Sequence, residues 1–306
     1  MTVYGVGVLG LGVKGRAMVD ELNQTEGLRV VAAFDPRAPA GGADQEIASI
    51  LRDSAEAVCN DHAVDVVYIA TPPKLHEIGV HLTLRAKKAV FCEKPLAADT
   101  ASAKKLAIAV GEQKSGVNFY LATSPAGLAL AAAVSSGSLG SIKEINLTVR
   151  FKTWPRGWQS AAGDWLSSAS EGGGFSREVV SHFVFLADKL LGPGTIRPGS
   201  VNVVRDATSG LETAVKAVID HSGVPLTIDA CLDPGMAAGE SNRFEVVGSM
   251  GTAAIVDWVK SEGLEEWKGR SGAGWALVEL MEGKESELPS LEAAARLVEI
   301  VEGLLA

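Results

Sequence analysis

The chain predicts an α/β doubly wound parallel sheet followed by an α+β domain with an open, mainly antiparallel sheet. Three observations carry this. Strand-length apolar runs alternate with helical patterns from Val3 to Ala122, and strands that are apolar throughout belong to a parallel sheet covered on both faces. Beyond residue 123 strands follow one another through short turns, which implies antiparallel pairing. All six tryptophans (Trp154, Trp158, Trp165, Trp258, Trp267, Trp275) lie in the second half. The expected domains are therefore 1–122 and 123–306, with the final helix, 290–305, able to pack back on the first.

The 306 residues suffice for two ordinary domains. A net charge of −9 argues against a partner held by phosphate charge, so neither nucleic acid nor an anionic membrane surface is expected. Three scattered cysteines, Cys59, Cys92 and Cys231, suit buried reduced thiols and a cytoplasmic setting better than a disulfide framework. The apolar opening lacks a basic region and a cleavage pattern, and no run of 18 apolar residues occurs, so no membrane span is expected.

In chain order, Val3 to Leu9 reads as a strand, Gly10-Leu11-Gly12-Val13-Lys14-Gly15 as a glycine turn and Arg16 to Thr25 as a helix. Leu28 to Phe34 is the second strand, ending at Asp35-Pro36-Arg37. Val64 to Ala70 is a strand, Lys74 to Arg85 a helix and Ala89 to Cys92 a strand. Asp99 to Gln113 is a helix capped by Asp99 or Thr100, and Val117 to Ala122 a closing strand. A helix from Ala126 to Ser135 and a strand from Ile142 to Lys152 follow, then Thr153 to Gly174, to which periodicity assigns nothing. Phe175 to Leu191 is an apolar helix stopped by Gly192-Pro193. Strands are expected over Ser200–Asp206, Glu212–His221, Val224–Leu232, Arg243–Gly248 and Thr252–Trp258, and a last helix over Ser290–Leu305.

The chemistry begins at the glycine turn. Backbone N–H groups at a helix N-terminus bind a pyrophosphate, and glycines let it approach, so Gly10, Gly12, Val13, Lys14 and Gly15 read as a Rossmann dinucleotide loop; a purely structural turn is the alternative. Asp35 lies 25 positions after Gly10, where an acid accepts from ribose hydroxyls and repels a 2′-phosphate. That favours NAD, while Arg37 keeps NADP open. Thr71, Pro72 and His76 follow one strand end, and Glu93 and Lys94 the next, both at the crevice edge of such a sheet. Lys94, fixed beside Pro95, is placed to exchange a proton with a carbonyl or alcohol oxygen; the plain alternative is a solvated turn.

In the second half, three glycines lead into a helix with Arg177 and with Glu178 and His182 four residues apart. One reading makes His182 a proton donor or acceptor oriented by Glu178, with Arg177 among the substrate contacts; the other is an ordinary i,i+4 pair. Trp154, Arg156, Trp158 and Trp165 form either the wall of a substrate pocket or a packed loop or subunit contact. No spacing of Cys, His or Asp suits a metal.

Together, the glycine loop, Ala70-Thr71-Pro72-Pro73-Lys74-Leu75-His76, Glu93-Lys94-Pro95, Gly137 to Ile142, the triple glycine before His182 and Gly248-Ser249-Met250-Gly251 resemble the Gfo/Idh/MocA family of glucose-fructose oxidoreductase and inositol dehydrogenase relatives. The resemblance implies an NAD(P)-dependent oxidoreductase of sugars, polyols or related carbonyl compounds, and a dimer or tetramer joined through the second sheet. It implies a catalytic lysine at Lys94, a substrate-domain histidine at His182 and a place for His76 near the nicotinamide ribose. It also leaves two rivals: a relative acting on an imine, a tetrapyrrole or a glycoside, and a non-catalytic dinucleotide-binding regulator. Three departures stand out: Glu178 where the family usually has Asp, Thr123-Ser124-Pro125 where many members have Arg or Asn before the proline, and the segment around Trp154 and Trp158.

Overall fold

A computed structural model describes residues 2–37, 45–162 and 164–306. The chain divides into two compact units, Met1–Asn118 with Ala273–Arg296, and Phe119–Gly272 with Leu297–Ala306. The expected division after residue 122 thus moves to 118/119, and a segment near the C-terminus joins the first unit.

In the first unit β1 (Tyr4–Leu9), α1 (Val13–Gln24), β2 (Leu28–Phe34), α2 (Gln45–Ile50), α3 (Ala55–Asn60), β3 (Val66–Ile69), α4 (His76–Arg85), β4 (Ala89–Glu93), α5 (Thr100–Val110) and β5 (Ser115–Asn118) follow in order. The strands pair in parallel in the order β2-β1-β3-β4-β5. The order reverses at β1, so the carboxyl ends of β1 and β3 flank the point where such sheets bind ligands. Val6, Val8, Val66, Tyr68 and Phe91 are fully buried, which is why these strands carry no polar alternation. Asp99 caps α5 by accepting from the Ser102 N–H at 2.9 Å, and that bond holds its carboxyl below the usual range.

The expected strand Val117–Ala122 is corrected: β5 ends at Asn118, and Tyr120–Thr123 forms a short helix, α6. A brief apolar run looks the same in either state. Ser124, extended at the end of α6, caps the next helix, α7 (Pro125–Ser135), by accepting from the Gly127 N–H at 3.2 Å.

The second unit continues with β6 (Ile142–Phe151) and three 3₁₀ turns across the stretch that periodicity left unassigned. Next come a π-helical turn at Ser176–Val180, α8 (Ser181–Leu191), β7 (Thr195–Ile196), β8 (Asn202–Arg205), β9 (Glu212–His221), β10 (Val224–Leu232), β11 (Glu240–Gly248), β12 (Thr252–Val256) and β13 (Lys260–Glu262). The sheet order is β13-β12-β11-β6-β10-β9-β7, with β8 beside β9. Pairing is antiparallel except between β6 and β10, which are parallel. These two are separated in sequence by α8 and β9, long enough for the crossover that parallel pairing requires. Phe183 of α8 stacks on Phe244 of β11, ring centroids 5.8 Å apart, and anchors the helix to the sheet.

Two elements close the chain. α9 (Ala273–Met281), absent from the expected elements, belongs to the first unit: Ala276, Leu277 and Val278 enter its core, and the Gly274 N–H donates to Glu21 Oε1 at 3.0 Å. α10 (Leu291–Leu305) contributes residues to both units. Cys59 and Cys92 are buried free thiols, whereas Cys231 is only half-buried. Burial raises the Cys92 thiol well above its ordinary pKa, so it stays protonated. Among the described residues no helix is long and apolar enough to cross a membrane, and no three His, Cys, Asp or Glu side chains gather as they would around a metal.

Candidate functional site

The three glycines of the loop after β1 have three different reasons. Gly10 takes φ +97°, and a Cβ there would lie 2.7 Å from the Ala70 oxygen. A Cβ on Gly15 would lie 2.0 Å from the Gly10 oxygen, so α1 packs this close only without one. Gly12 has ordinary dihedrals, φ −68° and ψ −168°, and a Cβ there would meet nothing within 4 Å. Its absent side chain leaves open space at the N-terminus of α1, where no side chain caps the helix. A pyrophosphate fits there, against N–H groups that the helix itself cannot satisfy. Thr71 Oγ1, at the neighbouring end of β3, is buried with no hydrogen-bond partner among the described residues. Open space and an unsatisfied hydroxyl beside one loop fit a dinucleotide.

Asp35 does more than the sequence assigns it. One carboxylate oxygen accepts from the Leu11 N–H at 2.8 Å, and the other accepts from the Arg37 N–H at 2.8 Å. The acid therefore ties the glycine loop to the end of β2. Arg37 Nε lies 3.7 Å from Asp35 and the side chain is 65% exposed, so this pairing is weak.

At the end of β4 lies Lys94, 8% exposed and followed by a cis peptide bond to Pro95. Glu93 before it is a hub: Oε1 accepts from Tyr68 at 2.5 Å and from Asn118 Nδ2 at 2.7 Å, and Oε2 accepts from the Lys94 N–H at 3.2 Å. Burial and the Glu93 charge push the Tyr68 hydroxyl well above its usual pKa, so it remains a donor. Glu93 thus holds the strand end that carries Lys94. His76 is buried between the ends of two neighbouring strands. It has no exposed surface, and its ring nitrogens lie 2.7 Å from the Thr71 oxygen and 3.0 Å from the Pro95 oxygen. The ring sits between the Thr71 and Pro95 segments. Burial lowers its pKa, and the neutral ring this favours has one N–H, enough to donate to one of the two carbonyls.

In the second unit the triple glycine is also explained. A Cβ on Gly173 would lie 2.2 Å from the Trp165 oxygen, and Gly174, at φ +117°, packs on Glu212. Buried Glu212 Oε1 accepts from the Ser176 N–H at 2.8 Å, seating the start of the helix. Glu178 then falls in the π-helical turn and His182 in α8. His182, 8% exposed, meets Phe119 and Trp258 edge to face, with ring centroids 5.7 and 5.5 Å away.

Two expected substrate contacts are committed elsewhere. Arg177 forms a two-pronged pair with Glu302 at 2.6 and 2.8 Å and donates to the Gly173 oxygen at 2.8 Å. Its guanidinium pins α10 to the helix start, so Arg177→Ala is expected to lower stability by about 3 kcal/mol through the stranded Glu302. Thermal unfolding measures this; a lost substrate affinity at unchanged Tm would contradict it. Arg156 donates to Glu240 at 2.8 Å and to Gln159 at 3.1 Å, and its guanidinium lies 5.9 Å from the ring of Trp154 and 4.7 Å from that of Trp158. Trp154 Nε1 donates to the Leu166 oxygen at 3.1 Å, and Trp165 is half-buried. These contacts pack the segment against the second unit's own residues, with Trp158 49% exposed at its edge.

Tyr68, Asn118, Glu212, Asn242, Glu302 and the role of Trp258 had no sequence signal. Asn118 becomes visible only when β5 is laid in register with Glu93.

Comparison with known proteins agrees with this geometry. Residues 4–120 match an oxidoreductase family described as having an NAD-binding Rossmann fold, and residues 128–254 match the C-terminal domain of the same family. Inositol 2-dehydrogenase of Rhizobium meliloti (strain 1021) is 26% identical over 263 residues, covering 81% of this chain and 74% of its own length. The enzyme of the same name from Rhodococcus erythropolis is 29% identical, covering 82% of this chain and 71% of its own length. The WlbA dehydrogenase from Bordetella pertussis, solved with NADH and UDP-GlcNAcA, has the same fold, with a TM-score of 0.82 at 16% identity over 99% of this chain and 95% of that one. With an NAD(P)-binding Rossmann unit at its start and the matching second domain behind it, the chain belongs to the Gfo/Idh/MocA oxidoreductase family.

Proposed function

We propose that the protein is an NAD-dependent dehydrogenase or reductase that interconverts a hydroxyl and a carbonyl on a sugar or polyol. The observation that carries the proposal is Lys94, largely withdrawn from water at the end of β4 and set on a strand end that Glu93, Tyr68 and Asn118 hold rigid. When bound, the nicotinamide supplies or accepts the hydride. Lys94 Nζ exchanges a proton with the substrate oxygen, an exchange favoured by the lowered solvation around the amine. His182 is the second proton-handling group, with its ring direction set by Phe119 and Trp258, and Glu178 orients it. Asp35 accepts from the ribose hydroxyls, and its charge opposes a 2′-phosphate. The inositol 2-dehydrogenase relatives support the substrate class.

The retained lysine and histidine favour an enzyme over a regulator, since binding alone requires neither. Reduced-nicotinamide absorbance over a panel of sugars and polyols tests the reading, with NAD expected to bind more tightly than NADP. Tight cofactor binding with no turnover on any member of the panel would overturn it. Assembly as a homodimer or homotetramer is proposed on the outer face of the second sheet. There Arg150 pairs with Asp229 at 2.8 Å and Arg243 with Glu245 at 2.7 Å, so those charges are already neutralised. Sedimentation of a monomer at working concentration would reject it.

A further inference from the structure

Between β12 and β13 the chain turns through Asp257 and Trp258, both with left-handed backbones at φ +48° and +71°. Hairpin turns of this hand are ordinarily built from Asn and Gly, because a Cβ crowds the following carbonyl there. Asp tolerates the region, but a tryptophan keeps it only where the surroundings hold it. They do so through Asn242 of β11, which is buried. Its Oδ1 accepts from the Trp258 N–H at 3.0 Å, its backbone oxygen accepts from the Asp257 N–H at 2.9 Å, and its own N–H donates to Asp257 Oδ1 at 3.4 Å.

This arrangement directs the indole to one place. The ring of Trp258 lies 5.5 Å from that of His182 at 90°, with Phe183 5.0 Å away and Tyr120 6.4 Å away. It is half-buried, so part of its surface remains open. Trp154, by contrast, is engaged with Leu166 and Arg156. A turn that would be relaxed with glycine carries instead a large, rigid apolar plate next to the proposed proton-handling histidine. Such a plate suits the C–H face of a ring whose hydroxyls point outward, and it offers an open-chain polyol no matching flat face.

We propose that Trp258 is the tryptophan that contacts the substrate, selecting ring-shaped polyols and pyranosides over open-chain ones, with Asn242 as its positioning residue. The proposal rests on the reading of His182 as a substrate-side group. The test uses protein loaded with NADH, with which myo-inositol, methyl glucoside and sorbitol do not react, and reads binding by calorimetry. Wild type is expected to bind at least one of the two rings. Trp258→Gly, which suits the left-handed backbone, is expected to weaken ring binding about tenfold. Trp258→Phe should restore most of that affinity, and sorbitol and NADH affinities should stay unchanged. Absence of ring binding by wild type, equal ring affinity in Trp258→Gly, or an equal loss for sorbitol overturns the proposal. Turnover is read separately with NAD: rings that bind through Trp258 without forming reduced nicotinamide would sink the redox reading and leave this contact standing.

Discussion

Lys94→Ala is expected to lower kcat by about 10²–10⁴-fold while leaving the cofactor Kd close to that of wild type. The range is that of a positioned proton-transfer group. The separation of the two effects follows from the structure: Asp35 holds the glycine loop through the Leu11 N–H, and Glu93 holds the strand end through the Lys94 backbone N–H, which alanine keeps. Steady-state rates on the best substrate, together with a cofactor titration, make the measurement. Undiminished turnover in the variant would remove Lys94 from the chemistry, and lost cofactor binding would make it a structural residue instead.

The second large effect separates Gly12 from Gly15, which look equivalent in the motif. Gly12→Ala is expected to leave Tm unchanged, since its dihedrals suit alanine and nothing lies within 4 Å of the added carbon. Its cost appears on cofactor binding, about 1–3 kcal/mol for forcing a methyl into the pyrophosphate contact, or about 5- to 150-fold in Kd. Gly15→Ala should behave in the opposite order. Its Cβ would lie 2.0 Å from the Gly10 oxygen, so α1 must move and the fold itself loses stability. Thermal unfolding with and without cofactor distinguishes the two. An equal Tm loss in both variants would show that the space over Gly12 serves packing and not a ligand.

Features written in consecutive residues were legible. Apolar runs, cap residues and glycine spacing specify the parallel sheet, the loop before α1 and the strand end that carries Lys94. Short ambiguous runs were not, as at Tyr120–Thr123, where a brief apolar run reads the same as strand or helix. The π-helical turn around Glu178 escaped as well, because Glu212, which seats it, lies 36 residues away.

The candidate site divides along the same line. The sequence by itself determined the cofactor class and the family resemblance, and it offered Lys94 and His182 as candidates, because the glycine loop and the strand-end motifs are written in consecutive residues. Only the tertiary structure decided what the neighbouring polar and aromatic residues do. Arg177 is claimed by Glu302, 125 residues on, and Arg156 by Glu240, 84 residues on. Glu93 is turned inward to hold a strand end, His76 is buried between two of them, and Trp258 is brought to His182 by a turn that Asn242 holds. A charged or aromatic side chain acts on whichever partner the fold brings within a few ångströms, and such partners lie too far apart in the chain for spacing to reveal them.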